Sequence, residues 1–268
     1  MSAERYIEKL VLADHNVDRG PRSGGSSLRR MTRSVEGAPA GAAGTPSTAL
    51  PADLKAAVDV GSLLSFVDGI DAQQKDDVLL SVQLAQRGAS GAFDRFTQTE
   101  SWYRKYTEIL ETLGWVAEQM AFARYDQSEG ELRMDKAALA VIAAIATQNQ
   151  LAVLRESLTA LESLAEGDGT IRLFDFHTAA DASGNFQIGA VQKSANDALS
   201  LALGAFHYST AGARRRVLFV SWGAQRVDFW TAAQKMTFNL PFYADRREAV
   251  RRKLGAGADD FIAGLAIK

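Results

Sequence analysis

The chain has 268 residues, 47% of them hydrophobic and 23% charged, which suits a globular protein with a sizeable core, as one large domain or as one domain with an extension. It contains no cysteine, which excludes disulfides, thiolate nucleophiles and cysteine-ligated metal sites. The net charge of -2 conceals an asymmetry: residues 51–210 carry 12 basic against 22 acidic side chains, a balance of -10, whereas residues 211–254 carry 10 against 3, a balance of +7. The two regions either neutralise each other within the fold or leave the basic one to face an anionic partner.

The N-terminal sequence "MSAERYIEKLVLADHN" has acidic residues where a Sec-type signal peptide has basic ones, and no continuous apolar region follows. The longest notable uncharged run, residues 137–154, contains only ten continuously apolar residues, whereas a transmembrane helix needs about 20. We therefore expect a protein that is cytoplasmic, or exported without a Sec-type signal peptide, and that is not an integral membrane protein.

Residues 1–12 are predicted to form a short amphipathic peptide, because apolar side chains recur at helical spacing. These side chains are Tyr6, Ile7, Leu10 and Val11. Residues 13–50 are rich in Gly, Ala, Ser, Thr, Pro and Arg and are expected to form a flexible linker, since they cannot bury enough apolar surface to offset the entropy of ordering. The peptide is either a docking segment for a protein partner or container, or a terminus that packs weakly on its own domain.

A single α+β domain is predicted over residues 51–268. Its first part has helical periodicity, which predicts two helices over residues 52–68 and 72–87, the second ending near Gly88.

The next predicted helix opens with Thr97 and Glu100, which have the spacing of a capping box. Large apolar residues then recur along one face of it: Trp102, Tyr106, Ile109, Leu110, Leu113, Val116 and Met120. A long helix is predicted from Asp135 to Ala165, and its first half is apolar on every side, as in a central helix surrounded by others.

After Thr170 the periodicity changes to short apolar runs separated by turn residues. The runs are "IRLFDFH", "NFQIGAVQ", "ALSLALGAFHYS", "RVLFVSW" and "RVDFWTAAQKMTFN". Separations this short join antiparallel neighbours, so the pattern predicts a four- or five-stranded antiparallel meander over residues 171–240. The helical N-terminal half would pack around this sheet.

Two C-terminal helices are predicted to close the domain. Asp245 and Glu248 have capping-box spacing ahead of the basic helix "RREAVRRKL", and "ADDFIAGLAI" is read as a last short helix.

No dinucleotide-binding, phosphate-loop, nucleophile-elbow or zinc-protease motif is present, so no cofactor and no metal is predicted. Asp175 and His177 alternate with phenylalanines and would share one strand face, where the carboxylate could orient the imidazole for acid–base or metal chemistry. The alternative is a solvated polar face at a strand end. His207 in "GAFHYS" could oppose the first hairpin across the sheet, or be a buried histidine with satisfied hydrogen bonds.

The second C-terminal feature of interest is a cluster of basic residues on one helix: Arg246, Arg247, Arg251, Arg252 and Lys253. This cluster is either a solvated face or a docking site for an anionic membrane or an acidic partner. In "LFVSW", Phe219 and Trp222 would point to opposite faces of an apolar strand covered on both sides. Because the aromatic residues are then buried, a nucleic-acid partner is unlikely on this reading.

Several short motifs resemble those of a widespread group of uncharacterised bacterial and fungal proteins. They are "FDRF", Glu100 followed by "WY", "GWV", "GNFQIG", "GAFHYS" and "LFVSW", spread over about residues 80–267. The chain also resembles the bacterial virulence factor Evf, which implies a helix-wrapped sheet that holds a fatty acyl chain on a buried cysteine. Here "GNFQIGAVQ" offers Ala190 and Val191 where such a thiol would be sought, so thioester acylation is excluded. The resemblance leaves an apolar interior able to hold lipid, or an association with membranes.

The interpretation that these observations favour is a non-catalytic, virulence-factor-like binding or effector protein acting through a lipid, a membrane or a protein partner. One alternative is a structural or packaged cargo protein docked through residues 1–12. A second is an enzyme that uses Asp175 and His177.

Overall fold

The computed structural model describes residues 2–13, 53–117, 120–125, 131–165, 168–211, 218–223, 227–255, 262–265 and 267. Within these ranges the helices are α1 (Ala3–Lys9), α2 (Ala72–Ala92), α3 (Thr99–Thr112), α4 (Met134–Ala143), α5 (Gln148–Ser163), α6 (Gly169–Thr178), α7 (Leu240–Ala244) and α8 (Arg247–Leu254). The strands are β1 (Ala56–Asp59), β2 (Ser62–Phe66), β3 (Trp115–Val116), β4 (Ala123–Arg124), β5 (Glu131–Arg133), β6 (Ala179–Ala180), β7 (Ser183–Lys193), β8 (Leu199–Thr210), β9 (Ser221–Gly223), β10 (Val227–Phe238) and β11 (Ile262–Leu265).

One mixed sheet organises the molecule. Its strands run in the order β11-β1-β2-β7-β8-β10-β3, with β4 paired to β10 and β6 paired to β7. β2 and β7 are parallel, whereas β7, β8 and β10 form an antiparallel meander of long strands. The predicted α+β class is confirmed. The predicted four- or five-stranded meander is wrong in extent, because it supplies only three of the nine strands of a mixed sheet.

Helices cover both faces of this sheet, giving three layers and two apolar cores. Alternate residues of β1 show the division, since Ala57 packs on one face and Ala56 and Val58 pack on the other. The first core contains side chains of α1, α2, α3, α7 and α8, and the second contains side chains of α4, α5 and α6.

The first predicted helix, residues 52–68, is instead the hairpin of β1 and β2. Every residue of both strands is buried. Apolar and polar residues therefore do not alternate along the run, and its pattern alone cannot distinguish buried strands from a buried helix. The second helix is confirmed as α2, but it passes Gly88 and ends at Ala92.

The predicted capping box of Thr97 and Glu100 is wrong. α3 begins at Thr99 after Gln98, whose side chain makes no capping hydrogen bond. The Asp94 carboxylate instead accepts hydrogen bonds from the amides of Phe96 and Thr97. The apolar face of α3 ends where the helix does, so the predicted member Val116 lies in β3 and is 69% exposed.

The predicted single helix from Asp135 to Ala165 is two helices, α4 and α5. The chain leaves helical geometry after Ala143, and Thr147 starts α5 with a capping box in which its hydroxyl accepts from the Gln150 amide and the Gln150 side chain accepts from the Thr147 amide. Thr147 thus supplied a helix-start signal inside a segment whose apolar residues favoured one continuous helix.

Two predicted strands are also wrong. "IRLFDFH" belongs to helix α6, which the Asp168 side chain caps at its N-terminus. Of the described part of "RVLFVSW", residues 218–222, only the last two lie in a strand, β9, which pairs with β5 in a separate two-stranded sheet. Trp222 is buried as predicted, but Phe219 precedes the strand and is only half-buried.

At the C-terminus the basic helix is confirmed as α8. The capping box of Asp245 and Glu248 is wrong, because Asp245 ends α7 and α8 begins after Arg246 without a side-chain cap. The last predicted helix is wrong over residues 262–265, which form β11, antiparallel to β1 at the edge of the sheet. In this position the backbone of the segment pairs with β1 instead of forming hydrogen bonds within a helix.

Candidate functional site

A buried polar cluster lies between the sheet and helices α2 and α3, at the end of the sheet where β1 ends and β7 begins. The sheet contributes Asp59, Ser62, Asn185 and Gln187, and the helical layer contributes Gln83, Gln86, Arg87, Arg95, Tyr103 and Tyr106. All are less than 9% exposed. Burying polar residues is unfavourable unless they are hydrogen-bonded. Such a concentration of them in one core therefore indicates a candidate functional site.

The turn between β1 and β2 forms the floor of this cluster. The Gln86 side chain holds the turn, because its amide donates to the Asp59 carbonyl (3.0 Å) and its oxygen accepts from the Gly61 amide (3.3 Å). Between them Val60 has a φ of 53°, a left-handed conformation that costs a β-branched residue on the order of 1–3 kcal/mol. Strain of this kind persists only where the surroundings fix the backbone, and it concentrates at functional sites.

Asp59 is fully buried in this turn, and burial raises the pKa of its carboxyl well above the usual range. Gln83 and Arg87 of α2 lie beside the carboxyl and oppose that rise. The floor of the cluster therefore carries a carboxyl group that is protonated more readily than an exposed aspartate.

Arg95 enters the cluster from the loop between α2 and α3. Its guanidinium lies 4.7 Å from the centre of the Trp102 ring and packs directly on Gly61, where a Cβ would stand 2.5–2.9 Å from guanidinium atoms. Burial lowers the pKa of Arg95 to about 10, and the Tyr103 and Tyr106 phenols oppose that shift. Among the described residues, Arg95 Nε and Nη2 have no hydrogen-bond acceptor and no carboxylate forms a salt bridge with them.

Tyr103 connects the cluster to the surface. Its hydroxyl donates to Asn185 Oδ1 at 2.6 Å, and Asn185 Nδ2 donates to the carbonyl of Arg95 at 3.0 Å. Its ring packs against the Phe122 ring in a tilted arrangement, with the ring centres 5.0 Å apart. Burial raises the pKa of Tyr103 above its usual range, so its hydroxyl is a hydrogen-bond donor at neutral pH.

A half-open cavity of about 330 Å³ lies on the outer side of Tyr103. Its lining combines apolar side chains with a charged rim: Tyr103, Thr107, Met120, Ala121 and Phe122, with Glu100 and Arg104 at the edge. Thr107 is 4% exposed, and its hydroxyl has no hydrogen-bond partner among the described residues. A second cavity of about 280 Å³ is lined by Lys105 and Glu108, which hydrogen-bond to Tyr6 of α1, and Arg104 lines both cavities.

Asp175 and His177 do not form the predicted pair on one strand face. They lie on helix α6, where residues two apart point to different sides. His177 is 5% exposed and contacts the Phe176 ring, whereas Asp175 lies near Tyr208. In the part of the chain that the structure describes, no group of His, Asp or Glu side chains could hold a metal ion.

His207 lies on β8 between Asn185 of β7 and Trp230 of β10. The predicted first hairpin does not form, because its first strand is helix α6, and only its second strand, in β7, lies beside His207. Its ring is 5.2 Å from that of Trp230. Burial lowers the pKa of His207, while a hydrogen bond with the Phe96 backbone opposes this shift. It therefore borders the polar cluster.

The basic residues of α8 are largely engaged within the chain. Arg247 forms two hydrogen bonds with the buried Asp77 carboxylate, at 2.7 and 2.6 Å, and Arg251 forms a salt bridge with Asp76 at 2.5 Å. Lys253 donates to the Glu8 carbonyl. The remaining two differ, since Arg246 stacks on the Phe242 ring and Arg252 is exposed. The internal counterion role thus accounts for Arg247 and Arg251, and a docking role for α8 stays a prediction.

The N-terminal peptide packs on its own domain. Ile7 and Leu10 belong to the first core, the Tyr6 hydroxyl donates to Glu108 at 2.8 Å, and Val11 is 70% exposed. The chain then crosses α2 so closely at Gly91 that a Cβ there would stand 1.9 Å from the Val11 carbonyl oxygen. The predicted linker lies outside the described residues from residue 14 to residue 50, as does His15.

Sequence reasoning missed the central residues of the polar cluster. Arg95 stands in "FDRF", a motif that entered the sequence analysis only as a resemblance to other proteins, and an Asp-Arg pair between two phenylalanines is the available signal. Asp59 was concealed because "AAVDVGSLLSF" was read as a helix, which places its side chain on a different surface.

Neither a protein-family model nor a curated protein sequence matches this chain. Among solved structures, the chain is similar to a delta-endotoxin at 11% identity and a TM-score of 0.37, covering 81% of this chain and 90% of that one. It is also similar to the Evf virulence factor, at 11% identity and a TM-score of 0.33, covering 78% and 84%. A third is the activated Cyt2Ba monomer from Bacillus thuringiensis subsp. israelensis, at 10% identity and a TM-score of 0.33, covering 67% and 97%. No helix in the described ranges combines the length and apolarity needed to cross a membrane.

Proposed function

We propose that this protein is a non-catalytic binding protein for a small, single-chain amphiphile, which it takes up in the cavity beside α3. The observation that carries the proposal is the lining of that cavity. Phe122, Met120 and the Tyr103 ring contribute apolar groups to a cavity whose accessible surface is mostly polar, and Thr107 offers a buried hydroxyl without a partner in the described chain. Ligand sites typically combine apolar side chains with a few polar groups in volumes of about 300–1,000 Å³.

The arrangement fits binding better than catalysis. The polar groups around the cavity are the Tyr103 and Thr107 hydroxyls, with Glu100 and Arg104 at the rim, and none of the described lining residues is a histidine. The pKa of Tyr103 lies above its usual range, which makes it a poor base at neutral pH. An enzyme using Asp175 and His177 would need those side chains to converge on a substrate, and α6 separates them. The packaged-cargo alternative needs an accessible peptide, whereas Ile7 and Leu10 are buried in the chain's own core.

The test uses a fluorescent fatty-acyl probe together with native mass spectrometry of the full chain. The wild-type protein should bind the probe, and Phe122→Asp should weaken binding at least about tenfold, because it places a charge against the apolar part of the ligand. Val116→Asp is the matched control, since Val116 is 69% exposed and does not line the cavity. If the wild type binds neither the probe nor a copurified lipid, or if both variants behave alike, the proposal is wrong.

A further inference from the structure

Among the described residues, the buried arginine of the polar cluster has no anionic partner. Arg95 is 6% exposed, and a buried cation costs several kcal/mol unless it is paired and hydrogen-bonded. The two charged pairs that α8 makes with α2 show the normal arrangement in this protein, with each arginine on a carboxylate. At Arg95 the described chain supplies instead an indole face, a glycine backbone and two phenols.

The groups around Arg95 are hydrogen-bond donors. Arg95 Nε and Nη2 and the Tyr106 hydroxyl have no acceptor within hydrogen-bond distance among the described residues. The Tyr103 hydroxyl is also a donor, and its present acceptor is the Asn185 amide oxygen. A planar guanidinium flanked by tyrosine hydroxyls matches the oxygen atoms of a carboxylate or a phosphate, which accept several charge-assisted hydrogen bonds at once.

The position of Tyr103 relates this site to the cavity. One side of Tyr103 lines the cavity next to Phe122, and its hydroxyl lies in the polar cluster within electrostatic range of Arg95. Tyr103 is therefore the only side chain among those lining the cavity that also hydrogen-bonds within the cluster, so far as the described residues go. An elongated molecule that displaced Tyr103 from Asn185 would reach Arg95 with one end while its other end remained against Phe122 and Met120.

We infer that the amphiphile carries an anionic head group, a carboxylate or a phosphate monoester, and binds head first, with the head group on Arg95 and the chain directed outward through the cavity. This inference rests on the proposed function, because it assigns the head-group chemistry and the orientation of the same ligand. Arg95 would be the residue that determines specificity, and Tyr103 the residue that moves to admit the ligand.

The first experiment needs no variant. Isothermal titration of the full-length wild type compares decanoate and decyl phosphate with decanol, and adds acetate and inorganic phosphate as small anions. We expect at least one acidic amphiphile to bind about tenfold or more tightly than decanol, and the small anions to bind far more weakly. Equal binding of acid and alcohol would overturn the inference and leave the proposed function standing. Binding of no amphiphile would overturn both, and equal binding of phosphate and decyl phosphate would overturn the head-first orientation.

The second experiment replaces the arginine. Arg95→Met should retain decanol binding but lose the preference for the acids, whereas Arg104→Met, at the exposed rim of the cavity, should keep that preference. Because no carboxylate in the described chain pairs with Arg95, Arg95→Met should melt at the same or a higher temperature than the ligand-free wild type. Decanoate should raise the melting temperature of the wild type and not of Arg95→Met. A lower melting temperature for Arg95→Met, with the acid preference unchanged, would show that Arg95 is only a structural contact of Trp102.

Discussion

At the scale of single residues, Gly61 and Val60 show how the polar cluster is held. The strained turn keeps a backbone without a side chain under the Arg95 guanidinium, which could not approach if residue 61 carried a Cβ. The strain at Val60 is offset by the hydrogen bonds of Gln86 and by the main-chain bond from the Gln187 amide to the Gly61 carbonyl. The conformation of the turn therefore depends on hydrogen bonds from the helical layer, and the position of the Arg95 guanidinium depends on the conformation of the turn.

Gly61→Ala tests this dependence. The added methyl group would force the guanidinium or the turn to move, and overpacking of this kind costs about 1–3 kcal/mol. Urea unfolding of the variant should show that loss. Gly169→Ala is the control, since nothing lies within 4 Å of a Cβ at Gly169, and it should leave stability nearly unchanged. Equal stability of Gly61→Ala and wild type would mean that the close contact with Arg95 does not exist in solution.

The carboxyl group of Asp59 gives a pH-dependent prediction. Its pKa is raised in the folded state, so the folded protein retains a proton that the unfolded chain has released above the ordinary value near 3.8. The free energy of unfolding should therefore fall as the pH rises from about 4 toward the raised pKa. Its slope with pH should correspond to the release of at most one proton on unfolding.

Asp59→Asn should remove this component, and the difference between the two unfolding curves, measured from pH 4 to 8, gives it directly. Asp53→Asn, at an exposed position, should follow the wild-type profile. A wild-type profile that Asp59→Asn reproduces at every pH would show that the carboxyl titrates as it does in the unfolded chain.

Among elements, the contact of α2 with α8 carries the main electrostatic link outside the cluster. Asp77 is 1% exposed and receives both hydrogen bonds of the Arg247 guanidinium. Arg247→Ala would leave this carboxylate buried with the Gln73 amide as its remaining side-chain donor among the described residues, and removing one partner of a buried pair costs about 3 kcal/mol or more.

Arg252→Ala on the same helix is the matched control, because Arg252 is exposed and surface substitutions change stability by about 0.5 kcal/mol or less. Chemical denaturation distinguishes the two. If both alanine variants lose the same small amount, the pair between Arg247 and Asp77 is solvated, and the basic residues of α8 are again available to an anionic partner.

The elements that could be predicted from sequence were those with a strong local signal. α2 and α8 have a clear helical period, and β7, β8 and β10 are long apolar runs between turns, so all five were recognised. The hairpin of β1 and β2 was not, because strands buried on both faces carry no alternation. The sequence pattern does not reveal α6, because Phe174 and Phe176 alternate with polar residues as in a strand, and the Asp168 cap is a single residue with no capping box.

The site could not be predicted because no local pattern encodes it. Arg95, Asp59 and Asn185 come from three separate elements and meet only through the parallel pairing of β2 with β7 and the packing of α2 and α3 on that pair. What the sequence did indicate was the absence of familiar catalytic motifs and the division of charge between the acidic and basic regions. Arg247 and Arg251 on Asp77 and Asp76 account for part of that division.

For the whole molecule, the N-terminal peptide is a component of the first core rather than an appendage. Ile7 is fully buried, Lys253 donates to the Glu8 carbonyl, and the Ala13 amide donates to the Arg87 carbonyl of α2. The peptide thereby joins α2, α3 and α8, and it covers the side of the helical layer next to the second cavity. Residues 14–52 connect it covalently to β1, outside the described part of the chain.

This arrangement predicts the result of cutting the connection. A site for a specific protease, inserted within residues 14–50, allows the chain to be nicked without touching the domain. After cleavage the association of the peptide becomes bimolecular and depends on its own affinity, which the buried Ile7 and Leu10 and the polar contacts of Tyr6 should sustain. The peptide should therefore co-elute with the domain in gel filtration at micromolar concentration.

Two variants of the peptide serve as controls. Ile7→Asp should release the nicked peptide, whereas Val11→Asp, at a 70% exposed side chain, should not. Release of the unmodified peptide on nicking would mean that the tether alone holds it in place, and that its apolar face is available to a container or another partner.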